Sequence, residues 1–184
     1  MDEVLEVSAR SDTGQLTMNR AITDQVWVGS RFRETGIFVL GESWYGDYAE
    51  NLVTDSGWIA SYLRGEQVDR MYTRMANACK LSPKEFWQSI LFTNFVLRVG
   101  DVRANRPTRQ MYKDAGPRLQ KILSEHRPRG VWVLGIGQSE FSVPIILDAG
   151  IPCEVVAHPT SYGLRNAVLG ASWKRVLEHS NASS

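Results

Sequence analysis

The stretch Ile37-Phe38-Val39-Leu40-Gly41-Glu42-Ser43 decides the fold. Four apolar residues follow one another without alternation, and Gly41 ends the run. That is the pattern of a strand covered on both faces, as in a parallel sheet with helices on either side. Working outward, three more runs read the same way. Ile90-Leu91-Phe92-Thr93-Asn94-Phe95-Val96 carries an uncharged polar pair. Val131-Trp132-Val133-Leu134-Gly135 is wholly apolar, and Cys153-Glu154-Val155-Val156-Ala157 ends at His158.

Helical signals separate these runs. Leu52, Trp58, Ile59, Tyr62 and Leu63 lie loosely at helical spacing, and Val68, Met71, Tyr72, Met75 and Cys79 mark a helix face. Ser82-Pro83-Lys84-Glu85 is a helix start, with a cap, a first-turn proline and capping-box spacing, ahead of Phe86 and Trp87. A loop over 98–107 leads to Thr108, which caps a long helix to about residue 125, punctuated by Gly116-Pro117. Residues 137–147 lead into a helix that Pro144 interrupts or starts. A closing helix over 166–179 turns Ala167, Val168, Ala171, Val176 and Leu177 inward. The expected fold is a single α/β domain over residues 1–184, with a mainly parallel four-stranded sheet flanked by helices. Three strands end in Gly41-Glu42-Ser43, Asn94 and His158-Pro159, where ligands sit in open α/β sheets.

Composition narrows the class. With 184 residues, 43% of them hydrophobic and 22% charged, the chain has an ordinary globular balance and room for a real core. No apolar run reaches the roughly 18 residues of a membrane helix. The acidic start MDEVLEVSAR is not a signal peptide, so the expectation is a cytoplasmic, soluble protein. Two distant cysteines, Cys79 and Cys153, read as small buried hydrophobes rather than a disulfide or a four-thiol metal site. The net charge of +1 hides a polarity along the chain. Residues 1–60 hold four bases and ten acids (4 − 10 = −6), whereas residues 98–129 hold nine bases and three acids (9 − 3 = +6). That basic segment either faces phosphate or solvates a helix.

The strand-end residues also form an ordered set of motifs. Gly41-Glu42-Ser43-Trp44-Tyr45-Gly46 resembles the first motif of the uracil-DNA glycosylase superfamily. Asn94 after its strand, Val133-Leu134-Gly135, and His158-Pro159-Thr160 resemble the later motifs, in the same order, from about residue 37 to residue 175. The stretch from Arg98 to Gly135 is similar to the four-cysteine branch, without the thiols for that branch's iron–sulfur cluster, so no cofactor or metal is expected.

The chemistry of base excision fits these residue types. The base must be flipped into a pocket. Breaking the C1′–N bond then leaves negative charge on the base, which needs a donor. A neutral imidazole at a strand end suits this, and His158 is assigned to it; a histidine satisfying backbone ahead of Pro159 is the plainer alternative. The resemblance makes Asn94 the reader of the uracil edge, with Gly41 of the first motif's turn also in the base-recognition set and Tyr45 packing against C5 of the base. Trp44, Tyr45, Tyr48, Trp58 and Phe92 are candidate stackers. Where the best-known branch has an aspartate that positions water, this chain has Ser43, while Glu42 matches the glutamate of the four-cysteine branch and is placed with His158 and Ser43 in the catalytic set. No lysine in the motifs supports Schiff-base chemistry.

DNA contacts are expected from Arg103, Arg106 and Arg109 on one side and from Thr160, Ser161, Tyr162, Leu164 and Arg165 on the other, with Tyr162 or Leu164 as the intercalating wedge. The expected activity is hydrolysis of uracil from single- or double-stranded DNA by a monomer, initiating base excision repair. Excision of hypoxanthine or xanthine and a binding-only relative are the alternatives. A serine hydrolase built on Ser43 lacks the GxSxG elbow.

Overall fold

The computed structural model describes residues 26–43, 55–97 and 106–182. Within them lie five strands and seven helices. In chain order these are β1 (Trp27–Val28), α1 (Phe32–Thr35), β2 (Ile37–Ser43), α2 (Asp55–Leu63), α3 (Arg70–Ala78), α4 (Pro83–Gln88), β3 (Ile90–Val96), α5 (Arg109–His126), β4 (Gly130–Leu134), α6 (Ile136–Asp148), β5 (Cys153–Val156) and α7 (Asn166–Ala182). The sheet order is β1-β3-β2-β4-β5. The four predicted strands are present and mutually parallel. The fifth, β1, pairs antiparallel with β3 through Trp27↔Phe92 and Val28↔Leu91. Two residues are too few to show any periodicity, so a four-stranded sheet was the reading the pattern allowed.

Alternation of side chains along the buried strands feeds two apolar layers. Ile37, Val39, Phe92, Trp132 and Leu134 point to one face, where α2–α4 and α7 bring Ile59, Tyr72, Met75, Trp87 and Trp173. Phe38, Leu40, Leu91, Val131 and Val133 point to the other, against Leu119, Ile122 and Leu123 of α5 and Ile146 of α6. From β2 the chain crosses to β3 on one side, then returns past β2 to β4 on the other. Right-handed crossovers in opposite directions must use opposite faces of the sheet. The direction of winding therefore reverses between β2 and β4, and a crevice opens there at the strands' carboxyl ends.

The caps explain where helices begin. Ser82 and Glu85 form the expected capping box, and Thr108 accepts from the Met111 N–H at the head of α5. Asp69 caps α3 by accepting from the Tyr72 N–H, which leaves Val68 outside the helix and 88% exposed, not on its buried face. Pro117 and Pro144 both lie inside their helices and end neither; both are exposed, where water can serve the carbonyls they leave without a donor. In α7 the buried face is Leu169, Ser172, Trp173, Val176 and Ser180, while Ala167, Val168 and Ala171 are exposed. The serines pack inward because they find partners: Ser172 Oγ accepts from Trp132 Nε1, and Ser180 Oγ donates to the Thr35 carbonyl. Cys79 and Cys153 are half-buried and not joined to each other, and burial pushes both thiols up. No helix among the described residues is long and apolar enough to cross a membrane.

Candidate active site

Two polar groups sit at the strand ends, back to back. The first is organised by Glu42. Following Phe38 and Leu40 in alternation, it faces the α5–α6 side and is 7% exposed. Its Oε1 accepts from the Tyr112 hydroxyl of α5 at 2.7 Å. The chain then makes room for the carboxylate with glycine. A Cβ on Gly137, in the first turn of α6, would lie 2.6 Å from Glu42 Oε1, and one on Gly135 would lie 3.1 Å from Glu42 Cβ. Gly135 also has φ +123°, a conformation that favours glycine. Glu42 thus lies against the head of α6, whose N-cap is Gly135 and where the helix dipole favours an anion.

His158 stands two residues beyond β5. Its Nδ1 lies 2.7 Å from Thr160 Oγ1 and receives the Thr160 backbone N–H at 3.3 Å. A backbone N–H only donates, so Nδ1 is the acceptor and the neutral ring carries its proton on Nε2. Burial holds the imidazole below its ordinary value of 6.5; the negative charge of Glu42 opposes this and is the weaker influence. His158 is therefore mainly neutral at pH 7.

Between Glu42 and His158 lies a cavity of about 500 Å³, at the winding reversal. Glu42, Gly135, Ile136 and Gly137 line it from β2 and the head of α6, Ala157, His158, Thr160 and Ser161 from the turn after β5, and Arg106 completes it. Its volume lies in the range of small-molecule sites. A slightly larger cavity, about 590 Å³, lies between β3 and α5 against Phe95, Met111 and Ile122, and holds none of the strand-end acids or histidine. Among the described residues no cluster of three His, Cys, Asp or Glu side chains could hold a metal ion.

The second group is a buried network around Asp55, the first residue of α2. Its Oδ2 accepts from Thr93 Oγ1 (2.6 Å) and the Asn94 N–H (3.0 Å), and its Oδ1 accepts from Asn94 Nδ2 (2.9 Å). Arg118 of α5 donates to the Asn94 carbonyl at 2.9 Å and to Thr93 Oγ1 at 2.6 Å. Desolvation lowers the Arg118 pKa to about 10, against the pull of Asp55, so the guanidinium is charged at neutral pH. Gly41 completes the packing: a Cβ there would lie 2.3 Å from Asn94 Oδ1. We expect Gly41→Ala to push Asn94 off Asp55 and to cost about 1–3 kcal/mol by overpacking. Combining it with Asn94→Ala in urea unfolding should recover part of that loss; strict additivity of the two would contradict the contact.

The structure therefore brings Glu42, Arg106, His158, Thr160 and Ser161 together and keeps other predicted residues apart from them. Asn94, 6% exposed, and Gly41 lie behind the cavity wall, with one amide N–H of Asn94 committed to Asp55. Ser43 follows Gly41 in alternation, on the Asn94 side and away from Glu42, and its Oγ has no partner among the described residues. Phe92 is wholly buried against Tyr72 and Trp87 and cannot stack on a ligand. Trp58 is half-buried and donates to Asp69 Oδ2 at 3.3 Å. Leu164 packs on the core, so of the two wedge candidates only Tyr162 is presented, fully exposed. Arg165 is exposed near the same turn. Arg109 forms a two-pronged ion pair with Glu140 (2.6 and 3.0 Å) and lies over the Phe141 ring. That pair is solvent-exposed, hence weak. Trp44, Tyr45, Tyr48 and Arg103 lie outside the described residues.

Sequence reading missed Asp55, Tyr112 and Arg118. Asp55 resembles any first-turn acid, and Tyr112 and Arg118 sit on a helix whose charges read as a solvated face. No protein-family model matches the chain, and no curated protein matches it.

Proposed function

We propose that the protein is a monofunctional DNA glycosylase that hydrolyses uracil from DNA, with a uracil-DNA glycosylase-like fold. The observation that carries this is the placement of His158: its Nδ1 accepts the Thr160 N–H, which leaves the proton of the neutral ring to Nε2, and it lines a cavity together with Glu42. In the reaction, the C1′–N1 bond breaks and its electron pair leaves with the base. The Nε2–H donates to the O2 on which that charge gathers, while the sugar becomes oxocarbenium-like. A water adds to C1′, and Glu42 orients it and takes its proton. Tyr112 and the head of α6 hold the Glu42 carboxylate for this step. Arg106 and the exposed Arg165 are suited to flanking phosphates, and Tyr162 to the gap left by the flipped base.

A second reading, excision of hypoxanthine or xanthine, is favoured by one observation: Asn94 does not line the cavity, so the described wall carries no group specific to the uracil edge. The test is to incubate the protein with single- and double-stranded oligonucleotides carrying uracil, hypoxanthine, xanthine or a T:G mismatch, and cleave abasic sites with alkali. Product from uracil alone supports the first reading, and product mainly from hypoxanthine or xanthine the second. No product from any of them contradicts both and leaves a binding module.

The neutral imidazole predicts a pH profile. Because burial lowers the His158 pKa, the single-turnover rate should hold as pH falls through 6.5 and decline only in more acid solution. Stability has the same sign: the unfolded state takes up the proton first, so this group's contribution is lost as pH drops below its unfolded value. Rates measured from about pH 5 to pH 8 would contradict the assignment if the acid limb fell at or above the ordinary histidine value.

A further inference from the structure

Arg74 of α3 ties the turn that carries His158 to the body of the domain. Its guanidinium donates to three groups 85 to 92 positions away in sequence. One N–H bonds the Pro159 carbonyl and another the Leu164 carbonyl. Nε donates to Asn166 Oδ1, at the start of α7, at 2.8 Å. Pro159 directly follows His158, and Leu164 directly follows the left-handed Gly163, where φ is +75°. The two carbonyls therefore sit at the two ends of the segment that contains Thr160, Ser161 and Tyr162.

Inside that segment the backbone bonds are few. Ser161 N–H donates to the His158 carbonyl at 2.8 Å, and Leu164 N–H to the Ser161 carbonyl at 3.3 Å. Neither reaches the body of the domain. A planar fork with donors in several directions can hold two carbonyls and an amide oxygen at once; an ammonium group on a single stem cannot do so in the same geometry.

We propose that Arg74 is a positioning residue for the site, which fixes the 158–165 turn so that Thr160 stays on His158 Nδ1 and Tyr162 stays projected outward. The consequence for catalysis rests on the reading of His158 as donor to the leaving base. The consequence for the ring itself does not. Without Arg74 the Pro159 and Leu164 carbonyls turn to water, Thr160 leaves Nδ1, and the imidazole loses what holds its proton on Nε2.

The test uses the full chain and two readouts. The first is the ring ¹⁵N spectrum at neutral pH. The chain has three histidines, so the His158 signals are identified by their loss in His158→Ala. Wild type should show the Nε2–H tautomer, Arg74→Ala a mixture of both tautomers, and Arg74→Lys an intermediate pattern. Asn166→Ala, which removes one bond of the three, should show a smaller change in the same direction. The second readout is uracil release. Arg74→Ala should slow the single-turnover rate by about 10- to 100-fold, as displacement of a reacting group does, and raise the half-saturating DNA concentration, with Arg74→Lys recovering part of both. A merely structural role would lower the melting temperature and leave tautomer and rate alone. A wild-type tautomer and rate in Arg74→Ala would overturn the proposal. If Arg74→Ala does not fold, an unchanged tautomer in both Arg74→Lys and Asn166→Ala would overturn it. If wild type releases no base, the reading of the function fails while the ring spectra still decide the role of Arg74.

Discussion

Replacing His158 with alanine is expected to slow base release by about 10²- to 10³-fold, roughly 3–4 kcal/mol of barrier, with DNA binding retained. The size follows from where the charge develops. The donor is placed before the reaction, in a half-buried setting, and meets an oxygen that becomes anionic only as the bond breaks. A hydrogen bond of that kind stabilises the transition state more than the bound substrate. The loss should therefore appear in the single-turnover rate rather than in the affinity for DNA, as read by fluorescence anisotropy beside a quenched-flow assay. Full activity in His158→Ala would remove the proposed mechanism, whatever the substrate.

The second large effect is on stability. Asp55→Ala is expected to destabilise the fold by about 3–5 kcal/mol, the range for breaking one side of a buried charged network. Asp55 is 1% exposed and accepts from Thr93 Oγ1, the Asn94 N–H and Asn94 Nδ2. Its removal leaves those buried donors without their acceptor and deprives the buried Arg118 guanidinium of the carboxylate that favours its charge. Urea unfolding should show a lower midpoint at an unchanged slope. A loss under about 1 kcal/mol would mean that water, or a shift of α2, satisfies these groups instead. Asp55→Asn should be damaging too, because its amide turns N–H groups toward donors.

The two networks show what was legible in the sequence. Uninterrupted apolar runs such as Ile37–Leu40 signalled strands covered on both faces, and the caps at Ser82 and Thr108 signalled helix starts; the structure has both. Glu42 and His158 were legible because strand ends in a parallel sheet converge on a crevice, and they line one cavity. Partnership across sequence was not legible. Asp55 meets Asn94 across 39 positions, and Tyr112 meets Glu42 across 70. Such pairs leave no periodicity, and Asp55 and Tyr112 each look like ordinary surface residues. The inward face of α7 was read only in part: Val176 and Leu177 pack inward, but Ala167, Val168 and Ala171 do not, and Ser172 and Ser180 are buried by hydrogen bonds that apolar spacing cannot show. Ser43 and Asn94 were grouped with Glu42 by nearness to strand ends, yet alternation along β2 and the Asp55 contact put them on the other side of the sheet.

Incubating the wild-type protein with a uracil-containing single-stranded oligonucleotide and analysing the products by mass spectrometry, without alkali, tests base excision most directly. Free uracil and an uncut abasic strand should appear in equal amounts, and neither should form with His158→Ala at matched times. A strand cut without alkali, or no free base with the wild-type protein, would contradict hydrolysis of uracil's glycosidic bond at this site.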